Sequence, residues 1–298
     1  MGFTPEETLA CRRLVEMALE EDLGTTGDLT SKAVIPADLQ GRAAFVARAA
    51  GVLAGLPAVE LVLQTVHTPL LKLQSLVPDG TRVAPGDRLA VVSGLMEFIL
   101  TSERTALNFL QHLSGIATLT RRYVDAVAGL PCRILDTRKT TPGWRLLEKY
   151  AVRCGGGHNH RLGLYDGILI KDNHLAALNR TGLGIYDAVE RAQQLVGSPV
   201  PMEIEVDNLD QLEHALACRP QIILLDNMSR EGLREAVRRR ELKARSVPEA
   251  RGVLLEASGG VTLETVRAIA ETGVERISVG ALTHSAAALD IGLDYIRD

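Results

Sequence analysis

The chain has 298 residues, 46% of them hydrophobic and 23% charged, which is enough for one large domain and a smaller one. Its net charge of −4 and pI near 6.0 argue against general nucleic-acid binding, which shows as an excess of Lys and Arg. Cys11, Cys132, Cys154 and Cys218 stand far apart, with no CxxC and no Cys/His metal spacing, as expected of reduced thiols. Cys154, the one near the most cationic stretch, reads as a packing residue rather than a nucleophile. The start, MGFTPEETLACRRLVEMALEEDLG, lacks the basic residues and apolar core of a secretory signal. No apolar run approaches the roughly 20 residues of a membrane helix, so a soluble cytoplasmic protein is expected.

In chain order, Thr4-Pro5-Glu6-Glu7 is a helix start: a capping hydroxyl, a proline at the first turn and acids at the positive dipole end. Leu9, Leu14, Val15, Ala18 and Leu19 continue an apolar stripe toward Gly24. From Gly41 to Gly94, short apolar runs alternate with turn text such as Pro78-Asp79-Gly80, which predicts a small β-rich unit. Leu95 to about Leu130 is helical, and Arg104 within it reads by itself as a solvated or salt-bridged side chain. Beyond that, Arg133–Asp136, Gly167–Lys171, Met202–Val206, Ile222–Asp226, Val253–Ser258 and Ile277–Gly280 read as short buried strands. Helical text follows most of them, at Trp144–Val152, Tyr186–Val196, Leu209–Ala217, Arg230–Arg240, Thr262–Glu271 and Ser285–Ile291. Such alternation predicts right-handed βαβ units closing, or nearly closing, into an α/β barrel.

The polar residues gather at one end of those strands. Asp136, Lys171, Glu205, Asp226 and Ser258 stand where an α/β barrel places its active face. From Asp136 to His174 runs a crowded cationic stretch: Arg138, Lys139, Arg145, Lys149, Arg153, His158, His160, Arg161, Lys171 and His174, around Thr140-Thr141-Pro142-Gly143 and Gly155-Gly156-Gly157. The glycines read as room for a ligand, and the cations as a pocket for a small polyanion. Glu205 and Asp226, with Glu203 on the same strand face, suit a hard cation such as Mg²⁺ or Mn²⁺. Ser258-Gly259-Gly260 and Ser278-Val279-Gly280 offer backbone amides for a phosphate. Two other readings stay open at this level. Lys171 could be a Schiff-base lysine, and Arg230–Lys243 could be a basic nucleic-acid helix, although a solvated outer helix is the simpler reading. No P-loop and no GxGxxG follows a strand.

The run DTRKTTPGWRLLEKYAVRCGGGHNHRLGLYDGILIKDNH, followed by EIEVDN, ILLDN, EASGGV and SVGALTHS, resembles the quinolinate phosphoribosyltransferase family. GDLTS, GVLAGL and SERTALNFLQHLSGIAT extend the likeness, in order, over nearly the whole chain. The resemblance implies an N-terminal α+β sandwich domain over 1–112, a C-terminal open α/β barrel over 113–283, and a C-terminal helix over 284–298 packing back on the N-terminal domain. It implies the conversion of quinolinate and phosphoribosyl pyrophosphate to nicotinate mononucleotide, pyrophosphate and CO₂, with Mg²⁺. The alternative is transfer to a related heteroaromatic carboxylate.

Carried over by motif, Thr137, Arg138, Lys139, His160, Arg161 and Lys171 would hold the quinolinate carboxylates and neighbouring phosphates. Glu205 and Asp226 would serve the ribose and the magnesium-bound pyrophosphate. Ser258, Gly259, Gly260, Ser278, Val279 and Gly280 would hold the 5′-phosphate, and Lys139, Glu205 and Asp226 would be the catalytic set. Arg104 would reach the partner's quinolinate site, which implies a homodimer with a shared site, or a hexamer built from such dimers. Glu203 is the less favoured acid, because the family's functional glutamate is the second of EIEV. Trp144 and His158 receive no role.

Overall fold

The computed structural model describes residues 1–67, 69–196 and 200–297. Its strands, in chain order, are β1 (Gln40–Ala47), β2 (Gly51–Val52), β3 (Lys72–Ser75), β4 (Arg82–Val83), β5 (Arg88–Leu95), β6 (Arg133–Leu135), β7 (Ile168–Ile170), β8 (Met202–Val206), β9 (Ile222–Asp226), β10 (Leu254–Ser258), β11 (Arg276–Ser278) and β12 (Ile291–Tyr295). They fall into two compact units: residues 1–121, 139–157 and 281 onward, and residues 122–138 with 158–280. No helix of the described residues is long and apolar enough to cross a membrane.

The first unit holds a four-stranded antiparallel sheet, in the order β12-β1-β5-β3, beside the small β2–β4 pair. The expected first helix is Pro5–Leu23, and Thr4 and Glu7 cap it reciprocally. Within the stretch read as β-rich lies an unexpected helix, Leu56–His67. Its start is anchored by a distant residue: the buried Asp79 carboxylate accepts from the backbone of Gly55 at 2.6 Å and of Leu56 at 3.3 Å. The long helix is Met96–Ala126.

The C-terminal helix expected from Ser285–Ile291, and over 284–298 from the resemblance, is absent: residues 285–290 are irregular and β12 follows them. Helix propensity at Ala286–Leu289 is overridden by backbone bonds that only tertiary structure supplies: Leu289 N–H to Gln111, Arg48 N–H to the Asp290 carbonyl, and the ladder from Ala43↔Tyr295 to Ala47↔Ile291.

The second unit is a six-stranded parallel sheet, ordered β6-β11-β10-β9-β8-β7. Neighbours in the sheet are neighbours in the chain, except that β11 returns to pair with β6. The sheet therefore wraps around as an α/β barrel that stays open between β6 and β7, as the strand–helix alternation predicts. Side-chain caps start two of the helices just beyond the strand ends: Asn208 for Leu209–Cys218, and Ser229 for Arg230–Ser246.

Gly115 tests the packing of the first unit. A Cβ there would lie 2.1 Å from the Ala287 carbonyl oxygen, on backbone that cannot swing away. Gly115→Ala is expected to lower stability by about 1–3 kcal/mol, seen as a fall in Tm by thermal melting.

Candidate active site

In the second unit the site grows from the carboxyl ends of the strands. Asp136, directly after β6, is fully buried, and its carboxylate accepts the His160 N–H at 2.9 Å and the Asn159 side-chain amide at 2.5 Å. With the Leu135–His158 bridge, these bonds clamp the HNHR segment onto the end of β6. Arg161 follows at once. Its guanidinium donates to the Gly167 carbonyl at 2.9 Å, while Asp166 accepts from the Leu162 and Gly163 amides at 2.7 and 2.8 Å and tightens the loop. Half-buried, Arg161 has its pKa lowered from the usual value, first by burial and then by the charge of Arg138. Two guanidinium groups near one another at a strand-end face suit an anion.

Lys171, at the head of helix Asp172–Asn179, pairs its ammonium with Glu205 at 2.5 Å. Glu205 and Asp226 end adjacent strands, in the register Val206↔Leu225, and both stay partly accessible. Asp226 accepts from the Asn227 side-chain amide at 2.9 Å. Ser258 is registered against Asp226, and its carbonyl accepts from the Asn227 N–H at 2.9 Å, with Asn227 in the left-handed region at φ 52°. Gly259 is required here: at φ 92°, a Cβ would stand 2.2 Å from Asn227 Oδ1. Gly260, at φ 58°, has open space where a Cβ would stand. Val279 differs from its expected part, because its N–H is already given to the Leu135 carbonyl at 2.9 Å. It extends the strand ladder rather than a phosphate cradle. Ser278 is buried, and Gly280 is half-buried beyond it.

Beneath these residues lies a polar layer, of which His160 and Glu203 stand out in the sequence while Glu256 and Arg276 do not. Glu203 on β8 and Glu256 on β10 are 4% and 0% exposed. His160 Nε2 lies 2.9 Å from Glu203 and 3.5 Å from Glu256, and Arg276 Nε donates to Glu256 at 2.6 Å. Burial opposes a charge on His160, but the hydrogen bond and charge of Glu203 and the charge of Glu256 outweigh it, so its pKa is raised. Burial, then the charge of Glu203, pushes the Glu256 carboxyl up. A glutamate inside the apolar run LLEAS was the available signal, since Glu256 shares a strand face with Ser258.

In the first unit, Lys139 is exposed, and its carbonyl accepts the Thr283 hydroxyl at 2.7 Å. The loop after it is held by Arg145 Nε to the Thr140 hydroxyl at 3.0 Å and by the Thr141 N–H to Glu148 at 3.2 Å. Glu148 is fully buried and also meets His112 Nε2 at 3.1 Å. Trp144 stacks on Phe109 with centroids 4.7 Å apart, so its part is to pack the base of this loop. Arg104 is exposed on its helix, and no described residue hydrogen-bonds or ion-pairs with it.

Several members of the cationic stretch are committed to structure. Lys149 is fully buried, Arg153 pairs with Glu7 at 2.5 Å, and His174 Nδ1 accepts the Lys171 N–H at 2.9 Å. His158 is pushed down by burial and by the charges of Arg133 and Arg276, so it is a neutral ring. The triple glycine is also structural and leaves no room for a ligand: a Cβ on Gly155 would lie 2.5 Å from the Ala117 carbonyl, and one on Gly157 would lie 2.7 Å from Thr120. In helix Arg230–Ser246, Arg234, Arg238, Arg239 and Arg240 pair with glutamates, as a solvated outer helix does and a nucleic-acid surface would not.

Two family models match the chain, described as quinolinate phosphoribosyl transferase, N-terminal domain, over residues 28–114, and C-terminal domain, over residues 116–294. A nicotinate-nucleotide pyrophosphorylase [carboxylating] of Mycobacterium leprae is 46% identical over 96% of this chain and 97% of that protein. A probable nicotinate-nucleotide pyrophosphorylase [carboxylating] of Bacillus subtilis is 41% identical over 96% of this chain and 93% of its own length. The solved nicotinate-nucleotide pyrophosphorylase of Francisella tularensis superposes with a TM-score of 0.88 at 39% identity, covering 99% of this chain and 98% of that one.

All four cysteines are free, and burial pushes the thiols of Cys11, Cys132 and Cys154 up to about 12. At pH 8, Cys11 and Cys154 are expected to stay unmodified by iodoacetamide in the folded protein and to react fully once it is unfolded in urea, as read by mass spectrometry. Rapid labelling of native Cys154 would contradict its assignment to packing.

Proposed function

The chain belongs to the quinolinate phosphoribosyl transferase family, and from that premise we propose that it transfers the phosphoribosyl group of phosphoribosyl pyrophosphate to quinolinate, with loss of CO₂, in de novo NAD biosynthesis. The observation that carries this reading is the arrangement of the barrel rim. Arg138 and Arg161 lie close enough for one to depress the other's pKa, and Lys171, Glu205 and Asp226 belong to the same unit's strand ends. Both substrates are anions, and one develops cationic character as it reacts.

The chemistry then assigns the parts. The quinolinate nitrogen attacks ribose C1 as the bond to pyrophosphate breaks, so positive charge builds on the sugar while the leaving group takes negative charge. Glu205 and Asp226 stabilise the sugar, and Arg138, Lys139 and Lys171 balance the anions. The 2-carboxylate then leaves as CO₂, its bonding pair remains on C2 beside the cationic nitrogen, and a proton replaces it. The ring charge stabilises that carbanion, so no separate decarboxylating cofactor is required. Thr137, Arg138 and Arg161 select the dicarboxylate: nicotinate would leave one half-buried cation unmatched. A Schiff base at Lys171 is disfavoured by the contact that already engages its side-chain nitrogen, 2.5 Å from Glu205.

Mg²⁺ fits the donor set as a substrate-borne ion. Glu205 and Asp226 are hard oxygen donors, yet the one three-ligand group found among the described residues is His160, Glu203 and Glu256, so these two acids make no protein cage. An ion held by one or two carboxylates and a polyphosphate is the usual arrangement for magnesium. When bound, it would neutralise the departing pyrophosphate.

We further propose a homodimer in which Arg104 completes the partner's site. An exposed arginine with no partner among the described residues, on a helix otherwise well packed, supports this reading. The free thiols suit a cytoplasmic location.

Purified protein with quinolinate, phosphoribosyl pyrophosphate and Mg²⁺ is expected to release CO₂ and nicotinate mononucleotide. Nicotinate in place of quinolinate should be a poor substrate, and EDTA should stop turnover. Absence of product above background would reject the assignment. Lys139→Ala and Arg161→Ala are each expected to lower kcat/KM by about 100-fold or more, with an unchanged far-UV spectrum. Mixing inactive Arg104→Ala with inactive Lys139→Ala subunits should restore part of the activity. No recovery in any mixture would remove the shared site.

A further inference from the structure

We propose that the buried Glu203 is a positioning residue for substrate selection: through His160 it fixes the backbone of Arg161 and so aims that guanidinium at the quinolinate carboxylates. The inference rests on the reading of Arg161 given above, and it assigns His160 a different part from direct ligand contact.

The geometry of the imidazole carries it. His160 Nδ1 accepts the Arg161 backbone N–H at 2.8 Å, so a lone pair must reside there. A neutral imidazole donates from one nitrogen and accepts at the other. The ring proton therefore sits on Nε2, which faces Glu203 at 2.9 Å and Glu256 at 3.5 Å. Both nitrogens are thus engaged by the protein, and the carboxylate sets the tautomer that the Arg161 backbone needs. A second proton, on Nδ1, would set two hydrogens against each other and release Arg161. This geometry outweighs the raised pKa of the ring as a guide to the state that holds the loop.

Arg161 is then fixed at three places: its own N–H on His160, the preceding N–H on Asp136 at 2.9 Å, and its guanidinium on the Gly167 carbonyl at 2.9 Å. Such rigidity has a purpose beside Arg138, where two like charges would otherwise swing apart. The charge of Glu203 also favours the charged form of Arg161, which burial and Arg138 oppose.

A metal ion is the competing use of these groups, since ligand atoms of His160, Glu203 and Glu256 lie within 4.8 Å of one another. Arg276 already supplies the counter-charge, at 2.6 Å from Glu256, and the Nε2 proton occupies the ligand position on His160. The polar layer is therefore a support, in the manner of the outer groups that orient metal-site histidines.

The test uses the full-length protein with quinolinate, phosphoribosyl pyrophosphate and Mg²⁺. Glu203→Leu is expected to raise the quinolinate KM by about 10- to 100-fold, because a small displacement of a binding group has an effect of that size. The phosphoribosyl pyrophosphate KM should stay near that of the parent protein. Glu203→Gln, which retains an acceptor oxygen for Nε2–H, should recover most of the quinolinate affinity. In parallel, nitrogen NMR of the parent protein labelled at histidine should show His160 protonated at Nε2 alone, and Glu203→Leu should shift it toward the other tautomer. Equal rises in both KM values, or an unchanged quinolinate KM in Glu203→Leu, would overturn the proposal. Should that variant not fold, a parent His160 protonated at Nδ1 overturns it by itself. Failure of the parent protein to turn over quinolinate would instead reject the functional assignment, while the tautomer measurement would still decide the His160–Glu203 link.

Discussion

Two carboxylates buried on one face of a parallel sheet form the constraint to which the rest of the second unit answers. Glu203 and Glu256 come from strands separated by β9, and both approach the same imidazole. Leaving either acid unpaired in that interior would cost several kcal/mol, on the order of what breaking a buried ion pair costs. Arg276 meets one, and His160 meets the other. The curvature of the sheet is what allows side chains two strands apart to converge. That convergence in turn brings the segment carrying His160 and Arg161 over the strand ends, where Asp136 ties it down. A flat sheet of the same strands would hold the same residues out of reach of one another.

Charge on this unit is arranged in layers. The interior is acidic with a matching guanidinium, and the rim carries Arg138, Arg161 and Lys171 interleaved with Glu205 and Asp226. Arg161 is only half open to water, and its pKa is lowered first by burial and then by the charge of Arg138. Lys171 and Glu205 pair with each other, so neither charge stands alone at that end of the sheet.

In the first unit the same economy serves the loop that carries Lys139. Glu148, fully buried, holds the Thr141 amide and His112 together, and Trp144 lies flat on Phe109. Much of the cationic stretch is committed to such support. Lys149 is sealed in the core, and Arg153 reaches Glu7 on the first helix. The three consecutive glycines belong to this work too, since they allow backbone to approach the long helix within the reach of a single methyl group.

The sequence by itself determined the barrel, the six strands and the end of each that carries chemistry. Periodicity is a local property, and a charged residue closing an apolar run is visible without coordinates. It also determined the family, through TRKTTPG, HNHRLG and the strand-end motifs. What it left undecided depends on partners distant in the chain. Ser285–Ile291 reads as helix because its alanines favour helix, and only the free edge of β1 makes β12 a strand. Leu56–His67 hides in β-like text until Asp79 caps it from 23 residues away. Arg138 and Arg153 look equivalent as letters, yet one stands near Arg161 and the other is paired with Glu7. Val279 looks like a phosphate cradle until Leu135 takes its amide. Glu203, passed over in favour of Glu205, proves to be the acid that His160 faces. Burial and hydrogen-bond partners are properties of the folded chain, and they decided which of the many charges in this sequence are committed to support and which stay accessible at the strand ends.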